Sequence, residues 1–128
     1  MSRQDVLRSK NFYYACVSFV DYQVGRIIKA LKDKGMYDDT LIVFTSDHGD
    51  MMGDYNAIGK RTMVDSSCRV PLIVKYPGKE HAVRSDACSL VDIAPTLLGY
   101  AGADYSEEEF DGIDLFGEND RKYVFSQH

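Results

Sequence analysis

The feature that most constrains the fold is an apolar run, residues 41–44, that leads directly into the polar segment 45–50. β-Branched and aromatic residues dominate the run, and polar residues bound it, which predicts a buried strand over residues 40–45. In an open α/β sheet, ligands collect at the carboxyl ends of the strands. Asp47 and His48 stand at such an end. A carboxylate beside an imidazole can coordinate one divalent cation.

Three further segments carry regular patterns. Apolar residues recur at steps of three and four through residues 11–34, which predicts a helix with one apolar stripe, stopped by Gly35. Residues 70–76 form a second apolar run that ends in Pro-Gly and predicts a strand. Residues 92–100 predict a helix with Asp92 as its N-cap.

The remaining segments give weaker patterns. Residues 85–91 and 123–125 are interpreted as short strands. Apolar residues within residues 47–69 recur with neither the period of a strand (2) nor that of a helix (3.6). This segment is therefore predicted to be a long loop, a kind of segment that often carries function. The alternation of helix, strand, loop, strand and helix indicates the α/β class, with residues 1–128 as a single domain.

Composition excludes several classes of function. The net charge is −5, and residues 101–120 hold eight acids without a Lys or Arg, which predicts a solvated acidic loop at about 103–120. There is no basic stripe, so no nucleic-acid partner is expected. There is no apolar run of about 18 residues, so no membrane span is expected. The first residues also lack the apolar core of a secretory signal.

Three cysteines are sparse and lack the spacing of a metal finger, so reduced thiols are expected. Cys16 and Cys88 fall among apolar positions and are predicted to be buried and inert. Asp50 and Asp54 do not have the spacing of a calcium-binding loop and are predicted to be solvated acids.

Several motifs, taken together and in this order, resemble the C-terminal half of the sulfatase catalytic domain, within the alkaline phosphatase superfamily. Any one of them alone is weak, but their order and gaps are those of the family. They are Asp39-Thr40, Phe44-Thr45-Ser46-Asp47-His48-Gly49, Gly59-Lys60-Arg61, Arg69-Val70-Pro71-Leu72-Ile73-Val74, Tyr76-Pro77-Gly78, Val91-Asp92-Ile93-Ala94-Pro95-Thr96-Leu97-Leu98 and Asp111-Gly112-Ile113-Asp114-Leu115.

The resemblance implies part of a doubly wound α/β sheet and hydrolysis of small-molecule sulfate esters. It implies a divalent cation, usually calcium, held by ligands that fall on Asp47 and His48, and a sulfate-binding lysine that falls on Lys60. The chemistry suits these roles. Asp47 offers a hard anionic oxygen to a hard cation. Lys60 is a mobile point charge that can reach a sulfuryl oxygen.

The sequence departs from the family in its nucleophile. The family uses a cysteine that is converted to formylglycine within Cys-x-Pro-x-Arg, and this chain contains no such motif. In Cys68-Arg69-Val70-Pro71-Leu72 the proline stands one place late and no arginine follows it. Two N-terminal metal-binding aspartates and a histidine of the family also have no counterpart. We therefore expect this chain to be the C-terminal part of a larger enzyme and to be inactive alone.

Alternatives remain at each level. Histidine at the position of His48 also occurs in phosphonate monoester and phosphodiester hydrolases of the superfamily, and imidazole suits manganese or zinc better than calcium. Asp47-His48 can instead form a strand-end turn, and Lys60 can be a solvated loop lysine. A third hypothesis is a non-catalytic α/β module that self-associates through exposed sheet edges.

Overall fold

The computed structural model describes residues 2–118 and 120–126. The chain divides into two compact units, residues 1–79 and residues 80–127. Among the described residues, no helix combines the length and the apolar character that crossing a membrane requires. That the whole chain forms a single domain stays a prediction.

The first unit begins with a long helix, α1, which spans Arg3–Asp33. The helix begins at Arg3 rather than at residue 11 because Ser2 and Asp5 form a capping box. Ser2 Oγ accepts the Asp5 backbone N–H at 3.2 Å, and the Asp5 carboxylate accepts the Ser2 backbone N–H at 3.3 Å. Gly35 follows the helix with a φ of 65°, which confirms it as the stop.

The apolar stripe of α1 is exposed. All residues of this helix are described and none of them is buried. Residues 11–22 are exposed on every side, because no described element of the first unit covers the middle of the helix. The predicted apolar stripe is therefore present but uncovered. The prediction that Cys16 and Cys88 are buried is wrong, because both residues are exposed.

Two short strands form the sheet of the first unit. β1 spans Ile42–Thr45 and β2 spans Leu72–Lys75, within the two predicted runs, but β1 is half-buried to exposed and not buried as predicted. The strands pair antiparallel, with Ile42 opposite Lys75 and Thr45 opposite Leu72. The ammonium of Lys75 donates to the carbonyl oxygens of Asp38 at 2.8 Å and Thr40 at 3.2 Å. These bonds fix the turn that leads from α1 into β1.

The segment between the strands is better ordered than predicted. It contains a short 3-10 turn at Asp54–Asn56 and a one-turn helix, α2, at Asp65–Cys68. Met51 and Ser67 are buried. The prediction of a continuous irregular loop is wrong at these two turns.

The second unit is built around the helix α3, Ile93–Ala101, which ends at Gly102 with a φ of 65°. Asp92 stands at the N-cap of this helix, as predicted, but its side chain makes no capping hydrogen bond because the carboxylate serves other donors. It accepts the backbone N–H groups of Ser89 at 2.6 Å and Ile113 at 3.0 Å, and it pairs with the guanidinium of Arg121.

Thr96 completes this buried centre. Its hydroxyl donates to the Asp92 carbonyl oxygen at 2.6 Å and accepts the Leu115 backbone N–H at 2.9 Å. Asp92, Thr96 and Leu115 are all buried. The segment around 113–115 is thus held to the start of α3 mainly by polar contacts.

The two short strands predicted in this unit are wrong. Residues 85–89 are irregular and Leu90–Asp92 form a 3-10 turn, because Ser89 and Asp92 bond to each other as a capping box. Residues 123–125 are irregular and exposed, and within the described residues no strand lies beside them. The predicted acidic loop contains a short 3-10 turn at Glu107–Glu109, and Asn119 lies outside the described residues.

Candidate metal and sulfate site

Asp47 and His48 lie side by side at the end of β1. Asp47 Oδ2 is 3.3 Å from His48 Nε2, and Asp47 Oδ1 accepts the His48 backbone N–H at 3.0 Å. The second contact is the one expected of a simple strand-end turn. The first leaves a carboxylate oxygen and a ring nitrogen close enough to bind one ion together.

The orientation of the His48 ring is fixed by the backbone. Nδ1 lies 2.8 Å from the carbonyl oxygen of Gly49. Because a carbonyl oxygen can only accept, Nδ1 carries a hydrogen, and Nε2 is the ring nitrogen that faces Asp47 and Lys60. A backbone carbonyl in this role is a common support for a metal-binding histidine.

Lys60 joins this pair, although it stands twelve residues further along the chain. Its ammonium contacts His48 Nε2 in a short hydrogen bond, and the residue is exposed. The structure therefore brings together the three residues that the sequence singled out: Asp47, His48 and Lys60.

Backbone hydrogen bonds fold the loop so that Lys60 returns to His48. Gly49 N–H donates to the Ser67 carbonyl oxygen at 2.7 Å, and Met51 N–H donates to the Gly59 carbonyl oxygen at 2.8 Å. The buried Ser67 hydroxyl donates to the Lys60 carbonyl oxygen in a short contact. These bonds tie both ends of the loop to the residues next to the site.

Asp50 is a structural residue that the sequence interpretation missed. It was predicted to be a solvated acid, but it is half-buried, and its Oδ1 accepts the backbone N–H groups of Met52 at 2.9 Å and Gly59 at 3.2 Å. An aspartate that bonds two residues ahead is a known turn signal, and Asp50 followed by Gly53 offered it. Asp54 is exposed, as predicted.

The charges at the site favour an ionised Asp47. Desolvation on its own raises the pKa of this carboxyl. The charge of His48, the His48 backbone N–H and the charge of Lys60 together lower it by more, so the pKa lies below its ordinary value. The side chain is 82% exposed, so a dissolved cation can reach an ionised oxygen.

The donor set fits a divalent cation only in part. Asp47 supplies a hard oxygen and His48 an imidazole nitrogen, whereas calcium takes about six to eight ligands and zinc about four. Within the described part of the chain, no cluster of three or more His, Cys, Asp or Glu side chains is placed to hold a metal. Asp47 and His48 could therefore supply at most two ligands, and a bound cation would need further ligands from elsewhere.

Other candidate residues lie outside this group. Cys68 is exposed and its thiol donates to the Thr62 carbonyl oxygen at 3.2 Å. Arg69 lies 3.8 Å from Asp65 in an exposed pair. His81 is exposed in the second unit.

Comparison with known proteins identifies the family of the chain. The Sulfatase family model matches residues 2–103. The choline-sulfatase of Rhizobium meliloti (strain 1021) is 38% identical over 117 residues, which cover 90% of this chain and 23% of that protein. The arylsulfatase of Clostridium perfringens (strain 13 / Type A) is 35% identical, over 100% of this chain and 29% of that protein.

Solved structures show the same class. The phosphonate monoester hydrolase SpPMH from Silicibacter pomeroyi superimposes with a TM-score of 0.71 at 42% identity, over 75% of this chain and 19% of that one. The structure combines helices with a small sheet, and it superimposes on a hydrolase of the alkaline-phosphatase-like class. The chain is therefore an α/β protein of that class, as predicted. The chain belongs to the sulfatase family. It spans less than a third of the length of these relatives.

Proposed function

We propose that this chain supplies part of the sulfate-binding site of a sulfatase-type ester hydrolase. The observation that supports the proposal is the convergence of Asp47 Oδ2, His48 Nε2 and the Lys60 ammonium at the end of β1. In this proposal Asp47 and His48 hold a divalent cation, most simply calcium. Lys60 binds an oxygen of the sulfate ester.

Each residue has a separable task. Asp47 supplies negative charge next to the cation, and the Gly49 carbonyl keeps His48 Nε2 directed at the site. When bound, the cation would act as a Lewis acid on the sulfuryl oxygens. Lys60 stabilises negative charge that develops on the ester. The attacking nucleophile is assigned to no residue of this chain, so we expect no turnover by the chain alone.

Metal titration tests whether Asp47 and His48 bind a cation together. Calcium, manganese and zinc are titrated calorimetrically into the wild-type chain and into Asp47→Ala/His48→Ala. We expect saturable binding that the double variant loses, because both donors are removed. The control is Asp54→Ala/His81→Ala, which removes the same residue types from exposed positions outside the site. If the wild type binds no metal at millimolar concentration, or if the control also loses binding, Asp47 and His48 are not a preformed metal site.

Lys60 is expected to weaken metal binding in the absence of substrate. Its ammonium occupies the lone pair of His48 Nε2 that a metal would take, and it repels a cation nearby. Because two unit charges about 4 Å apart repel by roughly 1 kcal/mol even in bulk water, Lys60→Met should raise the affinity for a divalent cation by at least about fivefold. In the same titrations, added inorganic sulfate should improve metal binding in the wild type and not in Lys60→Met. Equal metal affinities would contradict the contact.

A phosphonate monoester hydrolase is the second candidate. It is favoured by the imidazole of His48 and by the likeness to the Silicibacter enzyme. Metal titration of the variant His48→Asn distinguishes the sulfatase-type hydrolase from the phosphonate monoester hydrolase. With calcium as the native cation, the amide oxygen replaces the ring and binding persists. With manganese or zinc as the native cation, the loss of the imidazole abolishes binding.

A further inference from the structure

We infer that Ser67 is a positioning residue of the candidate site, whose hydroxyl sets where the ammonium of Lys60 lies relative to His48. The inference rests on the proposed function, because it concerns the lysine that is assigned to the sulfate ester. It goes beyond that function by giving control of the lysine to one side chain of α2, while other contacts hold the metal-binding pair.

Ser67 bonds to both of the chain segments that meet at the site. Its carbonyl oxygen accepts the backbone N–H of Gly49, the residue after His48, at 2.7 Å. Its hydroxyl donates to the carbonyl oxygen of Lys60. Ser67 is 2% exposed, and its Cα would lie 3.4 Å from a Cβ at Gly49. One buried residue thus joins the backbone of the lysine to the backbone beside the histidine.

The hydroxyl of Ser67 can be removed without leaving an unpaired acceptor. The Lys60 carbonyl oxygen also accepts the backbone N–H of Thr62 at 2.9 Å, so it keeps one donor. The bond from Gly49 goes to the backbone of Ser67 and does not involve the side chain. A carbonyl oxygen has two lone pairs, and two donors restrict the orientation of its peptide more than one donor does. Removal of the hydroxyl therefore loosens the peptide that carries the lysine.

The metal-binding pair has its own supports. His48 Nδ1 lies 2.8 Å from the Gly49 carbonyl oxygen, and the His48 carbonyl oxygen accepts the Ser46 hydroxyl at 2.8 Å. Asp47 Oδ1 accepts the His48 backbone N–H at 3.0 Å. None of these three bonds involves the hydroxyl of Ser67. Its loss should therefore displace the lysine and leave the pair in place.

Ser66 offers a matched control, because it precedes Ser67 in the same short helix. Its hydroxyl oxygen is also buried, but among the described residues it has no hydrogen-bond partner. Ser66→Ala and Ser67→Ala therefore remove the same group from neighbouring positions, and only the second removes a contact with Lys60.

Nuclear magnetic resonance of the metal-free chain tests the positioning. Long-range proton–nitrogen spectra at about pH 8.5, where a histidine ring is ordinarily neutral, give the chemical shift of His48 Nε2. We expect Ser67→Ala to move this shift most of the way to its value in Lys60→Met, because the ammonium leaves the ring. Ser66→Ala should keep the wild-type shift. Hydrogen exchange at the Gly49 amide should change little in either serine variant, since its acceptor is retained.

Three results of these spectra overturn the inference. The first is a wild-type shift in Ser67→Ala or in Lys60→Met, which would show that the hydroxyl does not govern the contact. The second is an equal displacement by both serine variants. The third is a loss of protection at Gly49 in Ser67→Ala, which would show that the side chain only stabilises the loop.

Calcium titrations with and without inorganic sulfate measure the consequence for the ligand. In Ser67→Ala, the improvement that sulfate gives to calcium binding should shrink about fivefold, the effect of one hydrogen bond. Ser66→Ala should keep the full improvement, and a full improvement in Ser67→Ala contradicts the inference. If the wild type binds no calcium, the proposed function fails instead, and the metal-free spectra still decide the role of Ser67.

Discussion

Asp92→Ala is expected to destabilise the second unit by about 3–5 kcal/mol, the usual effect of removing one partner of a buried ion pair. The Asp92 side chain is 0% exposed, and it accepts from Arg121, Ser89 and Ile113. Its removal leaves the guanidinium without its carboxylate and two backbone donors without an acceptor. Amide hydrogen exchange at Ile113 and Leu115 measures the effect locally and should accelerate by about 100-fold or more.

Asp86→Ala is the matched control. Asp86 also pairs with an arginine of the second unit, Arg84, at 2.5 Å, but its side chain is 48% exposed. Exposed ion pairs contribute only about 0–1 kcal/mol, so exchange at the same amides should change little. Equal effects of the two substitutions would show that burial does not determine the strength of the Asp92 pair.

The same carboxylate should make stability depend on pH. Burial on its own raises the pKa of Asp92, but the hydrogen bonds from Arg121, Ser89 and Ile113 lower it by more, so the pKa lies below its ordinary value. The stabilisation is therefore complete above the unfolded-state pKa, about 3.9, and is lost as the pH falls through the lower folded-state pKa. In Asp92→Asn, this part of the acid dependence should disappear from urea unfolding curves measured between about pH 5 and pH 2.

Gly49→Ala is expected to disrupt the loop that carries the site. A Cβ at Gly49 would lie 2.1 Å from the Ser66 carbonyl oxygen and 3.0 Å from its carbonyl carbon. Both atoms belong to the backbone, so neither can move aside as a flexible side chain could. The substitution must separate Gly49 from Ser67, whose carbonyl accepts the Gly49 N–H at 2.7 Å. We expect a loss of about 3 kcal/mol in the free energy of unfolding, together with faster hydrogen exchange at the backbone amide of Met51.

Gly25→Ala provides the comparison for this substitution. Gly25 lies inside α1, and an added Cβ would meet nothing within 4 Å. Alanine favours a helix interior over glycine by about 1 kcal/mol, so this variant should be slightly more stable than the wild type. Urea unfolding of both variants and of the wild type measures these differences in the free energy of unfolding. A Gly49→Ala protein as stable as the wild type would show that the contact with Ser66 is not tight in solution.

The elements that the sequence predicted well are those with a local cause. The two apolar runs became β1 and β2, the periodic segment became α1, and the segment that opens with Asp92 became α3, because local pattern and end signals determine them. The exposure of α1 could not be predicted from its pattern. An amphipathic stripe indicates which side of a helix seeks cover, and it does not indicate whether this chain supplies that cover.

In the candidate site, too, the local features could be predicted and the long-range contacts could not. The motif resemblance selected Asp47, His48 and Lys60, and the structure brings these three together. The residues that hold them in place escaped prediction, because Asp50 and Ser67 act through backbone donors and acceptors far apart in sequence. Contacts of that kind depend on the path of the loop and leave no periodic signal.

The antiparallel pairing of β1 with β2 has a consequence for how this region can change over time. Thr45, the last residue of β1, lies opposite Leu72, the first residue of β2. The two ends of the connecting loop are therefore neighbours in the sheet. Lengthening such a closed excursion costs little conformational entropy, about 0.6 kcal/mol for each doubling. Insertions and deletions at its tip can therefore accumulate while the strands stay paired. The position of Lys60, which lies on this connection, can therefore change while the pairing of the strands is kept.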